Sequence, residues 1–210
     1  MTAEPGTVRS HRRVTPAGRL ATAVLAAGLV LAALVVGGAI TSQVPDTDRR
    51  EQSFIRSGGV GSPVDARTFD ATVLGVRGGT KINGGGQAHD TSGIWVLARI
   101  RLVARAEPTR VGYAVLVDDR ARVYRATGRI TQLLATGGRI LEPGIPVVGE
   151  IAFEVPLDAV TRLRLRLAGS QLDQRMDAMT ECPLPVDSAT LPRWKAQTTP
   201  LTLAAPEIAP

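Results

Sequence analysis

The chain has 210 residues, of which 25 are Lys or Arg and 19 are Asp or Glu, giving a formal net charge of +6. That length holds one domain of ordinary size plus flanks, and the lone Cys182 excludes an intramolecular disulfide framework. Residues 1–19 hold four Arg against one Glu, so half of the excess, +3, belongs to the amino-terminal tail and the case for a nucleic-acid partner weakens accordingly.

Leu20 to Ile40 is a run of 21 uncharged residues directly preceded by Arg9, Arg12, Arg13 and Arg19. At about 1.5 Å per residue such a helix covers roughly 30 Å, the thickness of a bilayer's hydrocarbon core, so a transmembrane anchor is predicted over 20–40. Basic residues before a first apolar segment tend to stay in the cytoplasm, which places 1–19 inside. Beyond the run Asp46, Asp48 and Glu51 balance Arg49 and Arg50, which places the rest outside. The rival is a cleaved secretory signal. Such signals have a shorter apolar region of about 7–15 residues ending in a small-x-small site, whereas here the best candidate, Gly37-x-Ala39, is followed by more apolar sequence. A lipid anchor would need a cysteine at the end of the run, and none is there.

Residues 41–52, polar and containing Pro45, read as a linker. From 53 to 187 the hydrophobic period is two. Ile94, Val96, Ala98, Ile100, Leu102 and Ala104 alternate with Trp95, Leu97, Arg99, Arg101, Val103 and Arg105, which predicts a long strand with one apolar and one mixed face. Arg162 to Leu167 alternate Arg and Leu in the same way. Further strands are expected at Phe69–Val76, Gly112–Val117, Arg122–Ala126 and Val147–Val155. Asp118-Asp119 suits a hairpin loop, because Asp side chains bond nearby backbone, and Glu142-Pro143-Gly144 supplies a second turn. Thr127–Leu134 fits either a short helix or an irregular crossover. With no βαβ rhythm, an all-β antiparallel sandwich behind one transmembrane helix is the expected architecture. The Pro-containing segment 188–210 is expected to be mobile or to lie along the domain surface.

These residues resemble the telokin-like, immunoglobulin-fold domain of unknown function found on secreted or membrane-anchored bacterial proteins. The resemblance spans about residues 60–170 and rests on Gly93 to Ile100 as central strand, on Leu116-Val117-Asp118-Asp119 before Val123-Tyr124, and above all on Leu141-Glu142-Pro143-Gly144 followed by Gly149 to Pro156. It implies an immunoglobulin-like sandwich outside the membrane, without known catalysis, of the kind seen in actinobacterial antigens. The chain departs from that pattern in having Ala104-Arg105-Ala106-Glu107-Pro108 in place of an Asn-rich turn, and in its carboxy-terminal extension.

No catalytic constellation emerges. His89 beside Asp90 is one histidine where zinc needs three or four ligands, and no Gly-x-Ser-x-Gly elbow accompanies it. Gly75 to Lys81 is only superficially similar to a phosphate loop, since Lys81 follows Thr80 and no helix-forming stretch comes next. Asp118 and Asp119 are adjacent and better explained by a turn than by calcium. Cys182 reads as a small buried apolar residue. The least ordinary feature is basic: Arg99, Arg101 and Arg105 share one strand face and Arg162, Arg164 and Arg166 another, so neighbouring strands would create a guanidinium surface. Together with Trp95 these are the candidate interaction residues, for an envelope protein or an anionic envelope polymer. No catalytic, metal or cofactor-binding residue, no small-molecule substrate and no nucleic acid is expected. The functional expectation is a membrane-anchored extracytoplasmic binding or assembly module, the alternative being a secreted effector or enzyme inhibitor released by signal cleavage near Ala39.

Overall fold

A computed structural model describes residues 53–135, 138–172 and 174–209, so the predicted tail, anchor and linker over 1–52 lie outside the described residues. Among the described residues eleven strands and one short helix follow in order: β1 (Phe54–Ser57), β2 (Pro63–Asp65), β3 (Phe69–Gly84), β4 (Gln87–Ala104), β5 (Tyr113–Val117), β6 (Val123–Arg125), β7 (Val147–Val155), β8 (Arg164–Ala168), β9 (Ala178–Pro183), α1 (Thr190–Ala196), β10 (Leu201–Thr202) and β11 (Glu207–Ile208). They form two sheets, one ordered β1-β9-β8-β5-β6 and the other β10-β3-β4-β7-β11, with β2 beside β3. The protein's described part is thus a β-sandwich.

Period-two alternation determines what each sheet buries. Ile94, Val96, Ala98, Ile100, Leu102 and Ala104 of β4 meet Leu116, Leu165, Leu167 and Cys182 of the facing sheet, with Leu163 from just before β8, in one core. β7 coincides with its predicted span and pairs with β4 from Ile94↔Val155 to Leu102↔Val147. β3 continues eight residues past the predicted Val76, because Gly75, Gly78 and Gly79 carry no strand signal of their own yet pair with β4 across two register shifts. Thr127–Leu134 is an irregular crossover rather than a helix.

The segment after Asp187, expected to be mobile or to lie along the domain surface, lies along the sandwich and adds a strand at each edge of one sheet. Trp194 of α1 is buried in the core, and a Cβ on Gly78 would lie 2.4 Å from its indole, so only a glycine admits the ring against β3. β10 then pairs with β3 at Ile82 and Asn83, and β11 pairs with β7 at Val148 and Val147, so the segment spans the sheet from edge to edge. Between them Glu150, almost wholly buried on β7, receives Arg77 Nε at 2.8 Å and Nη2 at 2.6 Å as well as the Ala204 N–H at 2.9 Å. Arg77 also donates to the Thr202 carbonyl at 2.6 Å, so one ion pair fastens the strap at two backbone groups. The strap and the crossover cover a second apolar cluster on the outer face, in which Trp95 and Leu97 pack against Ile82, Ile130, Ala152 and Leu201. All of this belongs to one compact unit, Glu51–Pro210.

Candidate functional site

The β5–β6 turn organises one end of the sandwich. Asp118 is fully buried, and its Oδ1 accepts the backbone N–H groups of Arg120 at 2.9 Å and Arg122 at 2.8 Å, the local bonding that Asp was expected to provide in this turn. Its Oδ2 accepts Arg122 Nε at 2.6 Å and the Tyr124 hydroxyl at 3.1 Å. Ala121 takes a φ of +59° to close the loop. Arg122 reaches Asp158 at 2.9 Å, which Arg120 approaches at 3.6 Å, and Arg164 donates to the Asp118 carbonyl at 3.2 Å. Burial alone would raise the Asp118 pKa, but the bonds from Arg122, Tyr124 and Arg120 outweigh it and hold the carboxyl at about 2.

A lowered folded pKa contributes stability that is fully present above the ordinary aspartate value of 3.8 and is lost as pH falls towards about 2. Acid unfolding monitored by circular dichroism is therefore expected to steepen through that window, and Asp118→Asn to flatten it while lowering the neutral-pH Tm by several degrees. An unchanged acid limb in the variant would refute this role for Asp118.

Beside the network lies an open cleft of about 590 Å³, lined by Thr91, Ser92, Gly93, Tyr124, Glu154, Pro156, Leu157 and Asp158. Gly93 lines it: a Cβ there would fall 2.2 Å from the Val155 carbonyl oxygen, so its absence lets β4 run tightly against the end of β7. Glu154 on the rim pairs with Arg129 at 3.1 Å, and the Arg129 guanidinium stands 5.3 Å from the centre of the Trp95 ring. Both carboxylates of the cleft are thus held by arginine, which leaves hydroxyls and neutralised acids as its polar lining. Such a lining can hydrogen-bond a polar segment.

The residues expected to form a guanidinium surface are not brought together. β4 and β8 belong to different sheets, so Arg99 and Arg101 lie on one face of the sandwich and Arg164 and Arg166 on the opposite one. Arg162 adopts a φ of +69° in the turn before β8, which takes it out of the alternation. Five of the six have carboxylate partners: Arg99 with Glu207, Arg105 with Asp65 and Asp70, Arg162 with Asp119, and Arg164 and Arg166 with Glu181. Half-buried Arg101 stands between Thr72 and Val148. Trp95 is an interior residue with no exposed area, its Nε1 donating to the His89 carbonyl at 3.0 Å, and it cannot meet a partner directly.

His89 Nε2 lies 3.1 Å from the Gly84 carbonyl within its own hairpin, and among the described residues no group of three or more His, Cys, Asp or Glu is placed to hold a metal. Cys182 is buried on β9 beside Leu165 of β8, and burial pushes its thiol pKa up, so it packs as the small apolar residue expected from the sequence. Arg122, Tyr124, Arg129, Glu154 and Asp158 escaped the sequence reading. The Asp118/Arg122 spacing across a turn is the one hint the sequence holds, since Arg129, Glu154 and Asp158 come from the crossover, β7 and the turn after it.

No family model and no curated protein matches this chain. Among solved structures, the yjhA protein from Bacillus subtilis shares 17% identity over 59% of this chain and 98% of its own, with a TM-score of 0.43. An uncharacterized β-sandwich protein from Clostridium difficile 630 shares 6% identity over 63% of this chain and 96% of its own, with a TM-score of 0.42.

Proposed function

We propose that this chain is a single-pass anchored binding or assembly module that presents an immunoglobulin-like sandwich outside the cytoplasmic membrane to a protein of the cell envelope. The observation that carries the reading is the uncharged run Leu20–Ile40 behind its four arginines, joined by twelve linker residues to the sandwich. The geometry supports it in one respect. The chain enters the sandwich at Phe54, opposite Ala178, whereas the cleft lies at the other end, where Val117 pairs with Val123 and Ile94 with Val155. A tether at one end leaves the cleft free to face a partner. Arginines already held by carboxylates favour a protein segment over an anionic polymer. No helix among the described residues is long and apolar enough to cross a membrane.

Protease added to intact spheroplasts is expected to cut within 41–52 and release the sandwich, while a photo-crosslinker at exposed Ser92 captures an envelope protein before cleavage. A sandwich that resists protease until the cells are lysed would overturn the outside placement. An amino terminus beginning near residue 40 in the mature protein would replace the anchor with secretion.

A further inference from the structure

The end of the sandwich where the chain enters carries an unusual apolar tip. Ser53 donates its hydroxyl to the Gln174 carbonyl, and the Phe54 N–H bonds the Asp177 carbonyl at 2.8 Å, so the start of β1 is tied to the β8–β9 loop. That loop is braced from within: the Gln174 amide donates to Ser170 and Gln171 carbonyls at 3.1 and 2.9 Å, and Asp177 accepts the Ser170 N–H at 3.3 Å. On this braced scaffold Leu172 is 95% exposed, Phe54 58% and Met176 54%. Met176 holds a φ of +59°, a conformation that glycine adopts at less strain, so an outward apolar side chain stands where the backbone alone would favour none. Apolar groups clustered at one site and withheld from the core mark a contact surface.

The tether identifies what they contact. Twelve residues separate Ile40 from Ser53, a reach of at most about 40 Å fully extended and roughly 20 Å as a flexible coil. A tip held that close to a bilayer meets it at an effective concentration on the order of millimolar, so three shallowly inserting side chains suffice to keep it there. We infer that Phe54, Leu172 and Met176 dip into the interfacial zone of the membrane that holds the anchor, seating the sandwich upright with its cleft directed away from the lipid. The inference rests on the anchored reading proposed above.

The test uses the full chain reconstituted in phosphatidylcholine–phosphatidylglycerol vesicles, in a Cys182→Ala background. An environment-sensitive fluorophore is placed at Leu172→Cys, at Met176→Cys or, as a control at the far end, at Ser92→Cys. The expected result is flotation with the vesicles, blue-shifted emission at 172 and 176, and several-fold stronger quenching there than at 92 by lipids carrying a quencher on the acyl chain. Flotation with equal, water-like emission at all three positions overturns the docking and leaves the anchor standing. Shielding at 172 and 176 without lipid quenching overturns it in favour of contact between copies of the chain. Failure to float overturns the anchor and the docking together. Because Leu172 and Met176 lie outside the core, agreement of the two labelled sites guards against a local folding defect.

Discussion

Trp95→Ala is expected to lower the free energy of unfolding by about 4 kcal/mol, the usual cost of removing a large buried aromatic side chain. The ring has no exposed area and is enclosed by Ile82, Leu97, Ile130, Ala152 and Leu201, contributed by four strands and the crossover. Truncation would leave a cavity that these elements cannot close without moving β10 or the crossover. It would also strip the His89 carbonyl of its donor and Arg129 of its aromatic partner. Trp95→Phe keeps most of the packing and loses the indole bond, so a cost of about 1–2 kcal/mol is expected. Urea titrations of the two variants decide between this interior role and the surface role suggested by the sequence. A Trp95→Ala protein as stable as the parent would restore the residue as a candidate contact.

Glu150→Ala is expected to cost about 2–3 kcal/mol, less than a fully buried pair because Arg77 remains partly solvated. Its distinctive effect is local. The Ala204 N–H loses its acceptor and Arg77 its anchor, so the amides of the carboxy-terminal strap should exchange with deuterium well before those of β4. Burial by itself raises the Glu150 pKa, but the bonds from Arg77 and Ala204 bring it below its ordinary value of 4.5. The strap's attachment is therefore complete above that value and weakens as pH falls below it. Amide exchange at Ala204 and Ala209 that is identical in parent and variant would show that Glu150 does not fasten the strap.

The inner faces of both sheets were readable because their residues alternate strictly: the apolar set of β4 from Ile94 to Ala104, and Leu163, Leu165 and Leu167 around β8, all reach the core. β9 was not, since it turns the small or polar Ala178, Thr180 and Cys182 inward and places Met179 and Glu181 between them, leaving no contrast to detect. The outer face was the larger blind spot. Trp95 and Leu97 looked like members of a mixed surface because their covers, Ile130 and Leu201, come from segments with no periodicity, one of them about a hundred residues away in the chain. The arginines misled for a related reason. Alternation indicates which side of its own strand a residue occupies, but not that β4 and β8 lie in separate sheets, nor that Glu181, Glu207, Asp65 and Asp70 neutralise their charges.

β1 joins the first sheet parallel to β9, in register from Phe54↔Ala178 to Ser57↔Glu181, with backbone bonds at its two ends from Phe54 N–H to Asp177 and from Gly58 N–H to Glu181. For a domain gripped at its far end and held by its amino terminus, tension enters along the axis of that strand. The four residue pairs then bear the load together in shear, whereas an antiparallel first strand pulled from its hairpin end would peel open one pair at a time. The short edge strand is in this sense a mechanical clamp against tension applied at Phe54.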